Sequence, residues 1–361
     1  MNYIKLFFAI AAITTLVVTI YSCKKDLNSN STHDLNINYP AAFVINGGSN
    51  TLSVIKLSDG TVTQTIDLTK QPMEGMDPMA TGIVWPHHIY VNPLKTQLAI
   101  GVPGMDLSGG HSGGMFGMTG KFAVLDAEKG YITKVVDIPV MNHNAVFSPN
   151  GSEIWTARME EMGKVLVYDA STYQLKNTMA VGMQPAEVTF SYDGTMAFVA
   201  NGGDSSVTAI DAATKNVIAT IPVGSDPVGA WPGSDNKMYV DNEEGKTISV
   251  IDVASMSVAE TITLGFMPGM AAYNGSMSEL WVSDPDNGKV HWWTWNMGMD
   301  MYMHGGEFET GAGTHAIAFN GMMAYVTNQT AGTVSVCDVM THTVTKTITV
   351  GTKPNGISIK L

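Results

Sequence analysis

Phe198-Val-Ala-Asn201, Val207-Thr-Ala-Ile-Asp211 and Val217-Ile-Ala-Thr-Ile-Pro222 are three apolar runs in close succession, divided by Gly202-Gly203-Asp204 and Ala212-Ala-Thr-Lys-Asn216. Each run is short, rich in β-branched or aromatic residues and bounded by Gly, Asn, Asp or Pro, which is how a strand and its turn read. The first run recurs as Phe43-Val-Ile-Asn46, Leu98-Ala-Ile-Gly101, Ile154-Trp-Thr-Ala157, Tyr239-Val-Asp-Asn242, Leu280-Trp-Val-Ser283 and Tyr325-Val-Thr-Asn328, at separations of 41 to 56 residues. A period of that size, filled with short strands and turns, marks a toroid of four-stranded sheets. Seven copies predict an all-β fold of seven blades over residues 42–361 and leave no room for another domain.

An Asp closes the third strand of most copies, as Asp126, Asp169, Asp211, Asp252 and Asp338. Its chemistry is that of a turn initiator whose carboxylate accepts backbone N–H groups. The last copy combines Tyr325-Val-Thr-Asn328 with Gly332-Thr-Val-Ser-Val336 and Ile348-Thr-Val-Gly351-Thr-Lys-Pro354-Asn-Gly-Ile357. These residues resemble the YVTN-type seven-bladed β-propeller repeat, a scaffold that hosts many functions. The resemblance implies that the strand after the Pro-containing loop is innermost and the YVTN strand is second. The chain then begins on a second strand at Phe43 and ends on an innermost one, Asn355 to Leu361, which closes the first blade.

Residues 1–22 carry Lys5, an apolar stretch from Leu6 to Ile20, and Tyr21-Ser22 before Cys23. One basic residue, a short apolar region and a small residue at the cut read as an export signal rather than a membrane span. Ser22-Cys23 resembles a bacterial lipobox, which implies a lipid-anchored Cys23, a flexible polar tether over residues 23–41, and a place in the bacterial cell envelope, periplasmic or outer-membrane. Cys337 is then the remaining thiol and reads as a small buried hydrophobe. A net charge of −13 with Arg158 as sole arginine argues against nucleic acid and phosphate-rich ligands.

Methionine is over-represented, with 25 residues, many of them outside the regular strands. Met73, Met76 and Met79 precede Trp85-Pro86-His87-His88; Met105, His111, Met115 and Met118 occupy a Gly-rich insertion; Met297, Met299, Met301 and Met303 run into His304. Thioether with imidazole suits soft or borderline transition metals, copper above all, whereas a lone Met merely fills a packing gap. Strict alternation places the Met297 to Met303 thioethers on one side of an extended strand, either as a separate site or as a packed edge.

Aligning the innermost strands on Val91-Asn-Pro93, Phe147-Ser-Pro149, Phe190-Ser191 and Phe319-Asn320 brings His87, His143 and His315 to one repeat position. Equivalent positions ring the central channel, so three imidazoles point toward one axis. The next position holds His88, Asn144 and Glu187, which can act as a fourth ligand or orient the others. His-His with further channel histidines is also similar to the propeller domain of nitrous oxide reductase, although fewer histidines are in register and no cupredoxin domain follows. Walker, Gly-x-Ser-x-Gly, haem-attachment and HExxH patterns are absent from the sequence. Glu160-Glu161 and Glu243-Glu244 fall in turns and are expected to be solvated.

Three functions fit these residues. One is an exported lipoprotein binding copper or another soft metal through His87, His88, His143, His315, His111 and the neighbouring methionines, as carrier, scavenger or sensor. Another is a non-catalytic scaffold whose Met-rich face grips a protein partner. The third is a copper-dependent oxidoreductase with an open position in the channel. The anchor is testable apart from any of them: Cys23→Ala should abolish metabolic labelling with palmitate and either release the protein from membranes or leave it unprocessed. A variant that is processed and still fractionates with membranes like wild type would remove lipidation at Cys23.

Overall fold

A computed structural model describes residues 34–73, 76–108 and 118–361. Seven four-stranded antiparallel sheets follow one another along the chain, each running from an innermost to an outermost strand in sequence order. Blade 1 departs from that order, being built from Ala41–Asn46, Thr51–Lys56 and Thr61–Asp67 with Pro354–Lys360 added on its inner side. Pro354–Lys360 pairs antiparallel with Ala41–Asn46, so the end of the chain locks onto its beginning and the seven-bladed β-propeller closes. The innermost strands of blades 2 to 7 are Ile89–Val91, Val146–Phe147, Pro185–Phe190, Pro227–Pro232, Ala271–Asn274 and Thr314–Asn320.

Middle strands such as Met196–Asn201 are buried along their whole length. The cause is that each sheet is covered on both faces by its neighbours, so successive side chains point into different apolar layers. In blade 1, Phe43 and Ile45 pack with Leu98 and Ile100 of blade 2, whereas Ala42 and Val44 pack with Tyr325 and Val334 of blade 7. Every adjacent pair of blades shares one such apolar layer among the described residues. Outermost strands, by contrast, read polar and exposed. Each pairs with its third strand through a register shift, as at Val54/Ile55 and Val336/Cys337, and bulges of this kind blunt an otherwise open edge.

Four of the repeated phrases end in Asn for a local reason. The Nδ2 groups of Asn46, Asn201, Asn242 and Asn328 each donate to two hydroxyls at the start of the following strand: Thr51 and Ser53, Ser206 and Thr208, Thr247 and Ser249, Thr333 and Ser335. The amide staples the turn between second and third strands. At the other turn the third-strand aspartates accept backbone N–H groups, as Asp169 does from Ser171 and Thr172; the Ser171 hydroxyl above all, with these backbone bonds, holds its carboxyl far below the usual range.

Two segments depart from expectation. The polar tether up to residue 41 is docked in its last part: Leu35 and Ile37 donate backbone hydrogen bonds to Lys129 and Glu128, and Ile37 is fully buried in the layer between blades 1 and 2. Two apolar side chains suffice to seat it against a ready-made groove. The connection from blade 1 to blade 2 forms its own hairpin, Lys70–Met73 with Met76–Ala80. Cys23, His111 and Met115 lie outside the described residues.

Removing Asn355 to Leu361 strips blade 1 of its inner strand and opens the ring. The loss should amount to several kcal/mol, a large part of the ~5–15 kcal/mol that stabilises an ordinary domain. Denaturant unfolding of the truncated chain should show a clearly lower midpoint; an unchanged one would mean that closure does not depend on this strand.

Candidate metal centre

His87 and His88 sit immediately before the innermost strand of blade 2 and continue its pairing, with the His87 N–H on the Gly101 carbonyl and the Gly101 N–H on that of His88. His143 stands three residues before Val146–Phe147 of blade 3. These strands approach very closely. A Cβ on Gly101 would stand 2.5 Å from the His143 carbonyl oxygen, and one on Gly356 would stand 2.8 Å from the His88 Cα. Only glycine permits this packing of backbones around the axis.

The result is a compact imidazole cluster. One ligating nitrogen from each of His87, His88 and His143 lies within 4.8 Å of the other two, and all three side chains are buried. Ring centroids are 4.6 Å apart for His87 and His88, 4.4 Å for His87 and His143, and 5.1 Å for His88 and His143. His315 comes in from blade 7 with its ring 5.9 Å from both His87 and His88. The register argument thus places His87, His143 and His315 around one channel, but the tightest trio takes His88 from the adjacent position and leaves His315 at its margin.

Glu187, on the innermost strand of blade 4 and fully buried, organises the trio. Its Oε1 lies 2.5 Å from Nδ1 of His143 and 3.3 Å from Nε2 of His88, while Oε2 accepts from the Tyr90 hydroxyl at 3.1 Å. A carboxylate on one imidazole nitrogen fixes the tautomer and directs the other nitrogen outward, so a metal on His143 would take Nε2. Asn144, expected as ligand or orienter, has its amide engaged by the next blade. Its side chain accepts from the Val188 N–H and donates to the Val188 carbonyl, sewing blade 3 to blade 4.

Deeper polar groups were not foreseen in the sequence. Tyr90 lies on blade 2, and burial, followed by the Glu187 charge, pushes its hydroxyl pKa well up. The indole of Trp231 on blade 5 is 6.1 Å from His88 and donates to Asp241 Oδ1. Asp241 takes the third position of the repeated phrase, where other blades carry Ile45, Ile100 or Val282. Burial above all, then Glu243, holds its carboxyl well above the usual range. Glu243 is itself buried rather than solvated, in a turn whose Glu243 and Gly245 N–H groups bond to the Asp226 and Ser225 carbonyls.

Among the described residues, the methionines of blade 6 do not join the imidazoles. Met141 and Met159 are buried with Leu107, Ala186 and Val228 in a separate apolar cluster. Leu107 reaches it on the insertion, whose root is held by Lys353 through an ion pair with Asp106 and a bond to Ser108. Met118 is exposed, as are Met79, Met162, Met183 and Met267 in loops at the histidine-bearing end of the ring; Met277, Met322 and Met340 are exposed in other turns. The Met297 to His304 run is not one extended strand. Residues 297–300 form the hairpin turn with Asp300 at φ 54°, and only Met301 and Met303 share a strand face, on the outermost strand of blade 6. Three strand spacings of about 4.8 Å separate that strand from the innermost one, so Met299, Met301, Met303 and His304 are remote from the trio. Cys337 is buried, which pushes its thiol pKa up to about 12 and agrees with a packing role.

No protein-family model matches the sequence, and no curated protein does. Solved structures match its fold. An uncharacterised protein from Desulfotomaculum acetoxidans superposes with a TM-score of 0.68 at 10% identity, over 88% of this chain and 98% of that one. A putative 6-phosphogluconolactonase from Bacteroides fragilis gives 0.67 at 13%, over 90% and 99%. The periplasmic gluconolactonase of Pseudomonas aeruginosa gives 0.65 at 16%, over 89% and 99%. Similarity at this level shows the β-propeller fold alone.

The buried Asp241 makes a pH prediction. In the unfolded chain its carboxyl titrates near ~3.9. Since its folded pKa is raised, the folded state binds the proton more tightly, and stability falls as pH climbs above about 4 toward the folded pKa. Asp241→Asn keeps the acceptor for Trp231 without that penalty. Urea unfolding should therefore show the variant gaining on wild type between pH 4 and pH 7. An equal difference at both pH values would contradict the assignment.

Proposed function

We propose that this chain is an exported, lipid-anchored YVTN-type propeller of the bacterial cell envelope that binds copper, or another soft to borderline transition metal, at the mouth of its channel as carrier, scavenger or sensor. The observation that carries the reading is the buried trio His87, His88 and His143 with Glu187 behind it. Imidazoles suit copper, zinc, iron and nickel. Two nitrogens on one tetrahedral ion at about 2.1 Å stand about 3.4 Å apart, so the 4.8 Å envelope of the trio closes on a metal with side-chain shifts of about an ångström. Among the described residues His315 is the next imidazole, with its ring 5.9 Å from those of His87 and His88. Bound there, the metal would supply a Lewis-acid or redox centre; the chain's own part is to present the ring nitrogens, orient them through Glu187 and bury them. Signal, lipid anchor and envelope location rest on residues 1–23.

A second reading, an interaction scaffold, draws on the exposed Met79, Met118, Met162, Met183 and Met267 at the histidine-bearing end, since flexible thioethers suit an adaptable protein contact. Elemental analysis of protein purified from the envelope separates the two. On the metal reading copper co-purifies, and His87→Ala, His88→Ala or His143→Ala each weakens copper binding at least about tenfold, with Glu187→Gln in the ~10–100-fold range of a lost orienting group. His315→Ala should have a smaller effect. Metal-free protein whose copper affinity is indifferent to the trio would leave the scaffold reading in its place.

A further inference from the structure

The end of the ring opposite the histidines carries a groove. His87, His143 and His315 stand at the start of innermost strands, whereas this groove lies at their ends, on the turns that join first to second strands in blades 4 to 7. It has a volume of about 390 Å3, and Tyr192, Tyr273, Phe319, Ser234, Ser276 and Asn274 line it. None of its lining residues is charged. Tyr192 is 70% exposed, while Tyr273 is fixed by stacking on Tyr239 and Phe319 stands edge-on to Trp281.

The repeat itself shows what would fill such a groove. In blades 2 and 3 these turns carry Pro93 and Pro149, and each ring lies on a glycine in the turn of the next blade. A Cβ on Gly151 would meet Pro93 at 3.5 Å, and one on Gly194 would meet Pro149 at 2.6 Å. The same repeat position holds Tyr192 in blade 4, then Gly233, Gly275 and Gly321 in blades 5 to 7. The chain's own proline rings stop where the groove begins. Its polar groups are mostly donors. Asn274 is 2% exposed; its Oδ1 accepts from the Ser276 N–H at 3.0 Å, but its Nδ2 has no hydrogen-bond partner. In blade 2 the matching amide, Asn92 Nδ2, donates to Thr96. A buried donor left unpaired is costly, and an incoming acceptor recovers that cost. No carboxylate lines the groove to accept the hydroxyl protons of a sugar. A proline-rich chain suits it better: proline has no N–H, its carbonyls make no internal hydrogen bonds in the polyproline II helix, and its rings pack on aromatic faces.

We propose that this groove binds a proline-rich segment of a partner protein in the polyproline II conformation. Its rings rest on Tyr192, Tyr273 and Phe319, as Pro93 and Pro149 rest on their neighbouring blades, and one of its carbonyls accepts from Asn274 Nδ2. The site shares no residue with the imidazole cluster and does not depend on a bound metal.

An acetylated, amidated hexaproline is the probe, titrated calorimetrically into the full chain, with maltotriose as a neutral polyhydroxyl comparison. The expected result is saturable binding of hexaproline at one site and none of maltotriose. Tyr192→Ala should weaken hexaproline binding at least about tenfold, as truncation of an aromatic anchor does. Asn274→Asp keeps the acceptor for the Ser276 N–H and removes the donor, and should weaken it similarly, whereas His87→Ala should leave it unchanged. Should Asn274→Asp fail to fold, the exposed Tyr192→Ala decides the matter. Absence of hexaproline binding, binding indifferent to Tyr192→Ala, or a preference for maltotriose overturns the proposal.

Discussion

Ring closure is the constraint on which the rest of this structure depends. A single sheet of the repeat would leave both faces and both edges exposed; seven in a closed circle cover every face with a neighbour and leave only the short, bulged outer strands at an edge. Closure also forces the innermost strands together at the axis. Pairing of Pro354–Lys360 with Ala41–Asn46 is what completes that inner circle. Gly101 and Gly356 show how tight it becomes, since the space a Cβ would need is filled by the backbone that carries His143 and His88.

Crowding at the axis turns residues far apart in sequence into one chemical environment. His87 and His88 from blade 2, His143 from blade 3 and Glu187 from blade 4 meet with both imidazole and carboxylate removed from water. Burying ionisable groups is costly unless each is engaged. Glu187 resolves the cost by spanning three partners, His143, His88 and Tyr90, with its two oxygens. Asp241 is engaged differently, by the Trp231 indole that donates to it, while burial holds its carboxyl above the usual range. Ala186 and Val228 occupy the repeat position of His87 and His143, and there Leu107, Met141 and Met159 cover the ring with apolar contact. One end of the molecule therefore juxtaposes a polar, ligand-rich sector and a dry one.

The outer edge of blade 6 brings two imidazoles together by another route. There the neighbours are adjacent strands, and a single bulge sets the approach of His304 to His291. Hairpin register alone sets His291 beside both His304 and Glu307, without help from the ring.

Blade number, strand order and the closing strand were all legible in the sequence, because the repeated phrase combines short apolar runs with turn residues whose local chemistry is self-contained. The Asn of Tyr325-Val-Thr-Asn328 and the aspartates that end third strands do their work within a few residues of themselves. Register also carried His87, His143 and His315 to one radius and put Glu187 beside them. What register could not carry is azimuth and depth. Whether His88 or His315 completes the trio depends on how closely blades 2, 3 and 7 approach, and a repeat alignment has no distances in it. Tyr90, Trp231 and Asp241 gave no signal, since an aromatic or a lone Asp inside a strand pattern reads as ordinary core or turn. The Met297 to His304 run misled because its alternation implied one continuous strand, whereas the hairpin turns through Asp300 and splits it. Local pattern thus determined which segments are strands and how they succeed one another; the meeting of side chains from different blades was decided by the closed tertiary ring, because only closure sets the distances across the axis.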